Sequence, residues 1–313
     1  MTPPVGAAAV GEAASGSTVP GAAVLGIDVG GTTVKARLVS GDDSVLAEWR
    51  EPTPADDPTA SLTVSLVAEL VARATAIAPV GAVGLAVPGI VDDAEGVAVR
   101  AVNLGWRDVP LRALAERALG DRTLDVPLAF AQDVRAGALA EATSGAAGGV
   151  DGPVVFVPVG TGLAAAIIID GAPLVSGGWA GEIGQLVIQH GPHAGRRVEE
   201  IASAGGIARR LGLADARAAA GLVRGGDPAA SAVWSDAVDV LADSLAWLAA
   251  VVAPTTIVVG GGLAEAGDLL FSPLALALDS RLGIVRRPDL VRAVHGEAAA
   301  TVGAVLLARA VLA

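Results

Sequence analysis

The segment Val24-Leu25-Gly26-Ile27-Asp28-Val29-Gly30-Gly31-Thr32-Thr33-Val34-Lys35-Ala36-Arg37-Leu38-Val39 decides how the rest of the chain is read. An apolar run carries one acid, Asp28, into Gly30-Gly31-Thr32. A second run then leaves with Val34, Ala36 and Leu38 alternating against Lys35, Arg37 and Val39, which is the period of a strand. A dinucleotide-binding glycine turn must open a helix, and a Walker A loop needs G-x-x-x-x-G-K-[ST]; neither pattern is present. The segment therefore predicts a strand–turn–strand whose glycine amides and Thr32 hydroxyl can face a phosphate while Asp28 faces its metal. A tight turn that needs positive φ accounts for the same glycines, and the stretch alone does not separate the two.

Working outward, the theme recurs. The run 154–159 enters Gly160-Thr161-Gly162, and 163–170 leaves as a strand. A third apolar run, 256–259, ends in Gly260-Gly261-Gly262. At 313 residues the chain exceeds one ordinary core. Two strand–glycine–strand units in corresponding places predict a duplicated α/β core with one copy per domain.

Between these units, helical spacing marks 59–78, 110–120, 134–142, 198–211, 229–252 and an apolar segment at 298–312. Strands are expected at 80–87, 126–130 and from the glycine-rich 177–184 turn to 188. The acidic, proline-bearing stretch 41–58 reads as a solvated loop, and residues 1–21 as a disordered tail.

The chain has no cysteine, which excludes disulfides, thiolate metal sites and cysteine nucleophiles and fits a cytoplasmic protein. A net charge of −12 argues against nucleic acid bound along an open surface, though a small anion can still be held by backbone amides. The apolar runs at 153–169 and 245–259 are broken too early to span a membrane.

Taken together, the motifs resemble those of the ROK family, sugar kinases and sugar-responsive regulators of the actin-like ATPase superfamily. The matches are D-V-G-G-T at 28–32, V-P-G at 87–89, N-L-G-W at 103–106, the Asp133 segment, G-T-G at 160–162, G-E-I-G at 181–184, E-x-x-A-S at 199–203 and G-G-G at 260–262. The resemblance implies two RNase H-like α/β domains around a central cleft, one made of 22–133 with the last helix 298–313 packed back on it, the other of 134–297. It implies that Gly30, Gly31 and Thr32, with Gly160, Thr161 and Gly162, hold the phosphates of ATP, that Gly260, Gly261 and Gly262 lie against the nucleoside, and that Asp28 meets Mg²⁺ through water. It implies a hexose deep between the domains and no membrane partner, and a homodimer is common in the family. Regulators of the family carry an N-terminal helix-turn-helix domain, and only a short Gly/Ala/Pro tail precedes the first strand here, so the repressor branch is not expected.

Asp133, at the end of a strand facing the cleft, is then the expected base for a sugar hydroxyl, although an Asp before a helix is also a common N-cap. Asn103, Gln132, Glu182 and Glu199 stand at positions that read sugar hydroxyls in the family. The departures concern this shell. Gln132 and Arg135 replace asparagines of many members, Gln185 replaces a histidine, and the family's zinc-binding cysteine cluster reads His-Gly-Pro-His-Ala-Gly-Arg-Arg at 190–197. Two histidines cannot complete a four-ligand zinc site, so no zinc is expected, His190 and His193 are expected at the surface, and the Glu199 loop must be held by packing or by Arg196 or Arg197. The expected reaction is phosphorylation of a hexose, glucose by default, at its 6-hydroxyl. A glucosamine-, kanosamine- or mannosamine-type substrate and a non-catalytic sugar sensor are the alternatives.

Overall fold

A computed structural model describes residues 22–313; the expected tail at 1–21 lies outside the described residues. Its strands are β1 (Ala23–Val29), β2 (Thr33–Val39), β3 (Val45–Pro52), β4 (Val80–Val87), β5 (Ile90–Asp92), β6 (Val97–Ala101), β7 (Trp106–Val109), β8 (Leu128–Gln132), β9 (Val154–Pro158), β10 (Ala166–Ile169), β11 (Ala172–Pro173), β12 (Thr256–Gly260) and β13 (Asp289–Arg292). Its helices are α1 (Ser61–Thr75), α2 (Leu111–Gly120), α3 (Asp133–Thr143), α4 (Val198–Ala202), α5 (Ala204–Leu211), α6 (Ala216–Arg224), α7 (Pro228–Val252), α8 (Gly261–Ala264), α9 (Asp268–Leu282) and α10 (Ala299–Ala310).

Two five-stranded sheets share one topology. In order they run β3-β2-β1-β4-β8 and β11-β10-β9-β12-β13. In each, the leading hairpin pairs antiparallel, one later strand adds in parallel to the first strand of the hairpin, and the next adds in parallel to that one. Parallel addition needs a crossover, so the carboxyl ends of β1, β4 and β8, and of β9 and β12, collect at one edge of each sheet. Asp28 is the penultimate residue of β1, Asp133 follows β8, glycine turns follow β1 and β9, and Gly260 ends β12. The fold is α/β, with two RNase H-like halves around a cleft.

Apolar burial follows the pattern of each strand. All seven residues of β1 are buried, as expected for a strand covered on both faces, whereas β2 alternates. Val67, Leu70 and Val71 of α1 and Leu111 and Leu119 of α2 cover one face of the first sheet. The other face receives α10, which packs through small residues: a Cβ at Gly84 would sit 1.9 Å from the Ala304 carbonyl oxygen, and one at Gly26 would sit 2.6 Å from that of Thr301. The same helix meets α3, where a Cβ at Gly303 would lie 1.8 Å from the Ala136 carbonyl oxygen.

Several expectations are corrected. The stretch 41–58 is not a solvated loop throughout, because β3 occupies its middle at the sheet edge, with Ala47 and Trp49 turned to the core and Glu48 and Arg50 exposed. The segment 183–188 is not a strand but a 3₁₀ turn, Ile183–Gln185, followed by a single bridge between Val187 and Arg197. The helix expected at 198–211 breaks at Ser203, which caps α5 by accepting from the Gly206 amide at 2.9 Å. Gly260 ends β12, and Gly261 opens a helical turn rather than a loop. His193 is not a surface residue: its ring is 18% exposed and lies 3.2 Å from Asp236, which also pairs with Arg210.

Candidate active site

The first hairpin supplies its residues by register. Asp28 is opposite Lys35 on β2 and beside Ala86 on β4, which places its carboxyl at the sheet edge, 7% exposed. Burial pushes that carboxyl up to about 6, with the Lys35 charge opposing. The turn closes by Gly30 N–H donating to the Thr33 carbonyl at 3.0 Å, while Thr53 Oγ1 donates to the Gly30 carbonyl at 2.7 Å. Asn103 sits at the tip of this turn, since a Cβ on Gly31 would come within 3.8 Å of its amide nitrogen. The Asn103 segment is a 3₁₀ turn, Val102–Leu104, anchored by Trp106, whose indole donates to the Asp57 carbonyl at 2.9 Å.

Asp133 is the first residue of α3 and not its N-cap. Gln132 holds the cap position in extended backbone and makes no side-chain cap bond. The Asp133 carboxylate accepts from the Val134 amide at 2.8 Å. Enclosure raises the Asp133 carboxyl to about 7, the negative charge of Asp28 adds to the rise, and the Val134 amide and Arg135 oppose it. Two carboxyls whose charges oppose one another, each raised by burial, are an arrangement that can accept a proton near neutral pH.

The second half contributes Glu182 and Glu199. Gly181 and Gly184 are required by close approach, because Cβ atoms there would lie 1.8 Å from the Ala165 and 2.1 Å from the Leu163 carbonyl oxygens. That approach seats Glu182 against the second hairpin. Burial raises the Glu182 carboxyl, Glu199 raises it further, and Arg135 pulls it down. Glu199 lies beside the glycine turn, with its Oε2 3.2 Å from where a Gly162 Cβ would be. Arg197 holds it, with Nη1 3.1 Å from Glu199 and donating to Gln185 Oε1 at 3.0 Å. The backbone supports that segment too: Ile188 N–H donates to the Arg196 carbonyl and Val198 N–H to that of Leu186, both at 2.9 Å. Among the described residues there is no cluster of three or more His, Asp or Glu side chains placed to hold a metal ion.

The second and third glycine turns share one cavity of about 760 Å³. Gly160, Thr161, Gly205, Gly261 and Gly262 line it, with Arg209 and Arg217 at its sides. The turns are fastened together: Val159 N–H donates to the Gly260 carbonyl at 2.9 Å, and Ser203 Oγ to that of Thr161 at 3.1 Å. A Cβ on Gly261 would strike the Val159 backbone at 2.6 Å, whereas Gly160 and Gly262 have nothing within 4 Å. The open backbone at those two positions faces space that a side chain would fill, which suits a polyanion approaching amides.

Of the residues expected from the sequence, Asp28 and Asp133 act on one another at the first sheet, and Asn103 lies beside Gly31. Glu182 and Glu199 act on one another beside the second glycine turn, whereas Gln132 faces inward. It is 3% exposed, its amide nitrogen donates to the Gly89 carbonyl at 3.0 Å, and its Oε1 has no protein partner. Sequence reasoning missed Asp93, which pairs with Arg135 at 2.6 Å across 42 positions, and the flanking Arg209 and Arg217. The Asp92-Asp93 doublet in the turn after V-P-G was the available signal for the first; no spacing marked the arginines.

A family model described as the ROK family matches residues 24–311. The glucokinase of Halalkalibacterium halodurans is 30% identical over 277 residues, covering 79% of this chain and 82% of its own. The N-acetylmannosamine kinase of Escherichia fergusonii is 35% identical over 301 residues, covering 90% and 97%. A crystal structure of a ROK family glucokinase from Streptomyces griseus in complex with glucose and AMPPNP superposes with a TM-score of 0.76 at 26% identity, covering 92% of this chain and 99% of that one.

Proposed function

Because the chain belongs to the ROK family, we propose that it is a sugar kinase that transfers the γ-phosphoryl group of ATP to a hydroxyl of a hexose, with Asp133 as the base. The observation that carries the reading is the placement of Asp133 at the carboxyl end of β8, electrostatically coupled to Asp28, with its carboxyl raised to about 7.

Phosphoryl transfer asks a protein mainly for positioning and charge neutralisation. The sugar 6-hydroxyl oxygen attacks the γ-phosphorus, its proton passes to the Asp133 carboxylate, and ADP leaves. Gly30, Gly31 and Thr32 on one side, and Gly160, Thr161 and Gly162 on the other, cradle the phosphates through backbone amides. The 760 Å³ cavity beside Gly261 and Gly262 receives the nucleoside. Asp28 would hold Mg²⁺ through water, and the buried, raised carboxyl fits a cation that would restore its charge. Mg²⁺ when bound supplies charge neutralisation between the phosphates. Asn103, Gln132, Glu182 and Glu199 take the sugar, with 22–133 and 298–313 forming one wall of the cleft and 134–297 the other.

Glucose and an N-acylated or amino-hexose are both supported by relatives, a glucokinase and an N-acetylmannosamine kinase of comparable identity. ADP release measured with glucose, mannose, glucosamine, kanosamine, mannosamine and N-acetylmannosamine, each with ATP or polyphosphate as donor, tests the reading. Turnover with one of these sugars supports it. Tight sugar binding without turnover would replace the kinase with a sugar sensor, and full activity in Asp133→Asn would remove the base.

A further inference from the structure

The residues on either side of Asp133 are tied to one short segment of the first half, Gly89 to Asp93. Gln132 donates its side-chain amide to the Gly89 carbonyl at 3.0 Å. Arg135 donates from Nη2 to the Val91 carbonyl at 2.8 Å and to Asp93 Oδ1 at 2.6 Å, and from Nε to Asp93 Oδ2 at 3.2 Å. The guanidinium is 1% exposed, and the Asp93 side chain 19%. A planar fork meeting both oxygens of a carboxylate fixes direction as well as distance, which an ammonium cannot do.

The far end of this tie is itself held. Gly178, with φ of 87°, packs so closely on β5 that a Cβ there would sit 2.3 Å from the Val91 carbonyl oxygen. That carbonyl is therefore fixed between Arg135 on one side and a turn of the second half on the other. Asp133 lies between the anchored Gln132 and Arg135, in the first turn of a helix whose cap residue makes no side-chain bond to the helix amides.

Charge follows the same geometry. Arg135 lowers the carboxyls of Asp133 and Glu182, while Asp28 raises the first and Glu199 the second. Asp93 is the partner that balances the buried guanidinium, and its own carboxyl is raised by burial and drawn down by Arg135. Removing either member leaves a buried charge uncompensated.

We propose that Asp93 and Arg135 form a clamp that positions Asp133 for proton acceptance, linking the base to the junction between the two halves of the molecule. Both are positioning residues. The inference rests on Asp133 being the base of the proposed kinase, and it goes beyond that reading by giving Arg135 and Asp93 a defined task.

The test compares Asp93→Asn, Arg135→Lys and the double variant with the wild type, using turnover, sugar affinity and hydrogen exchange. A misplacement of about 1 Å at a reacting group can cost ~100-fold, so each single variant is expected to lower kcat by about 10- to 100-fold. The Kd for the sugar and the KM for ATP should change less than kcat, because Asn103, Glu182, Glu199 and the glycine turns are left in place. The double variant should be no slower than the worse single one, since the pair acts as a unit. Hydrogen exchange in the peptide that covers Gln132 to Arg135 should rise in Asp93→Asn, while the β1 peptide stays protected. A kcat within about twofold of the wild type, uniform loss of protection throughout the chain, or recovery of full turnover in Arg135→Lys would each overturn the clamp. If the wild type turns over no sugar, the kinase reading fails, and the exchange measurement decides the clamp by itself.

Discussion

Burial lifts the Asp28 carboxyl to about 6, so ionising it at neutral pH costs folding free energy that a neutral amide would not. The sign follows from the direction of the shift. The folded state binds this proton more tightly than the unfolded chain, so the contribution to stability is complete below the unfolded value near 3.8 and is lost as pH rises through about 6. Asp28→Asn should therefore raise the thermal midpoint at pH 8, by the equivalent of roughly 1–3 kcal/mol, and give no gain at pH 4. It should also abolish phosphorylation, a trade expected where function requires a buried charge. A lower midpoint at pH 8 would contradict the argument. For Asp133, with its carboxyl near 7, kcat/KM should fall about tenfold per pH unit below that value, and Asp133→Asn should lose about 10²–10⁴ in kcat. An acid limb placed below pH 5 would remove Asp133 as the titrating base. Both aspartates were legible in the sequence because each stands alone at the end of an apolar run. Asp93 was not, because its partner lies 42 positions away and nothing in local spacing joins them.

At the scale of elements, the seat of α10 is built by absence of side chains. Gly84 and Gly303 let the helix approach β4 and α3 until backbone meets backbone, and an added methyl has nowhere to go. Gly84→Ala or Gly303→Ala should therefore destabilise by several kcal/mol or prevent folding, because the obstructing atoms are main chain. Gly120, at the end of α2 with nothing within 4 Å of a Cβ, is the control, and Gly120→Ala should be neutral or slightly stabilising. Urea denaturation midpoints would decide; equal midpoints for Gly84→Ala and Gly120→Ala would mean that α10 is seated differently. Helical spacing marked 298–312 as an apolar helix, and the family resemblance placed it on the first half; the residues themselves did not show how it is seated, because glycine on a strand reads only as weak strand propensity. Two missed elements have different causes. β3 lies at an edge, and its short alternation of Ala47 and Trp49 against Glu48 and Arg50 is set among acidic and proline residues, while α9 carries Pro273 inside its span, which argues locally against a helix. The first hairpin was found because β2 keeps its period-2 alternation, and the second because its buried apolar runs flank the same kind of glycine turn.

At the scale of the molecule, the proposed ligands divide between two walls. Asp28, Asn103 and Asp133 belong to the edge of the first sheet, and Gly160, Glu182 and Glu199 to that of the second. Several contacts link the walls: α10 lies on the first sheet and on α3, Ala299 enters the core beneath β9 and β10, Lys35 donates to the Glu297 carbonyl at 2.8 Å just before that helix, and Arg135 and Gly178 meet the Val91–Asp93 segment. A ligand that binds both walls favours whichever state brings them together, and the shift is limited by its differential affinity for the two states. Sugar should therefore reduce the radius of gyration measured by small-angle scattering, and sugar with a non-hydrolysable ATP analogue should reduce it further by joining the glycine turns as well. Glu199→Ala removes a second-wall contact without touching the first, so it should weaken sugar binding and leave the radius unchanged at a sugar concentration that closes the wild type. A wild-type radius indifferent to saturating sugar would mean that the cleft is preformed, and the water-excluding role of closure would then fall to the side chains already around Asp133.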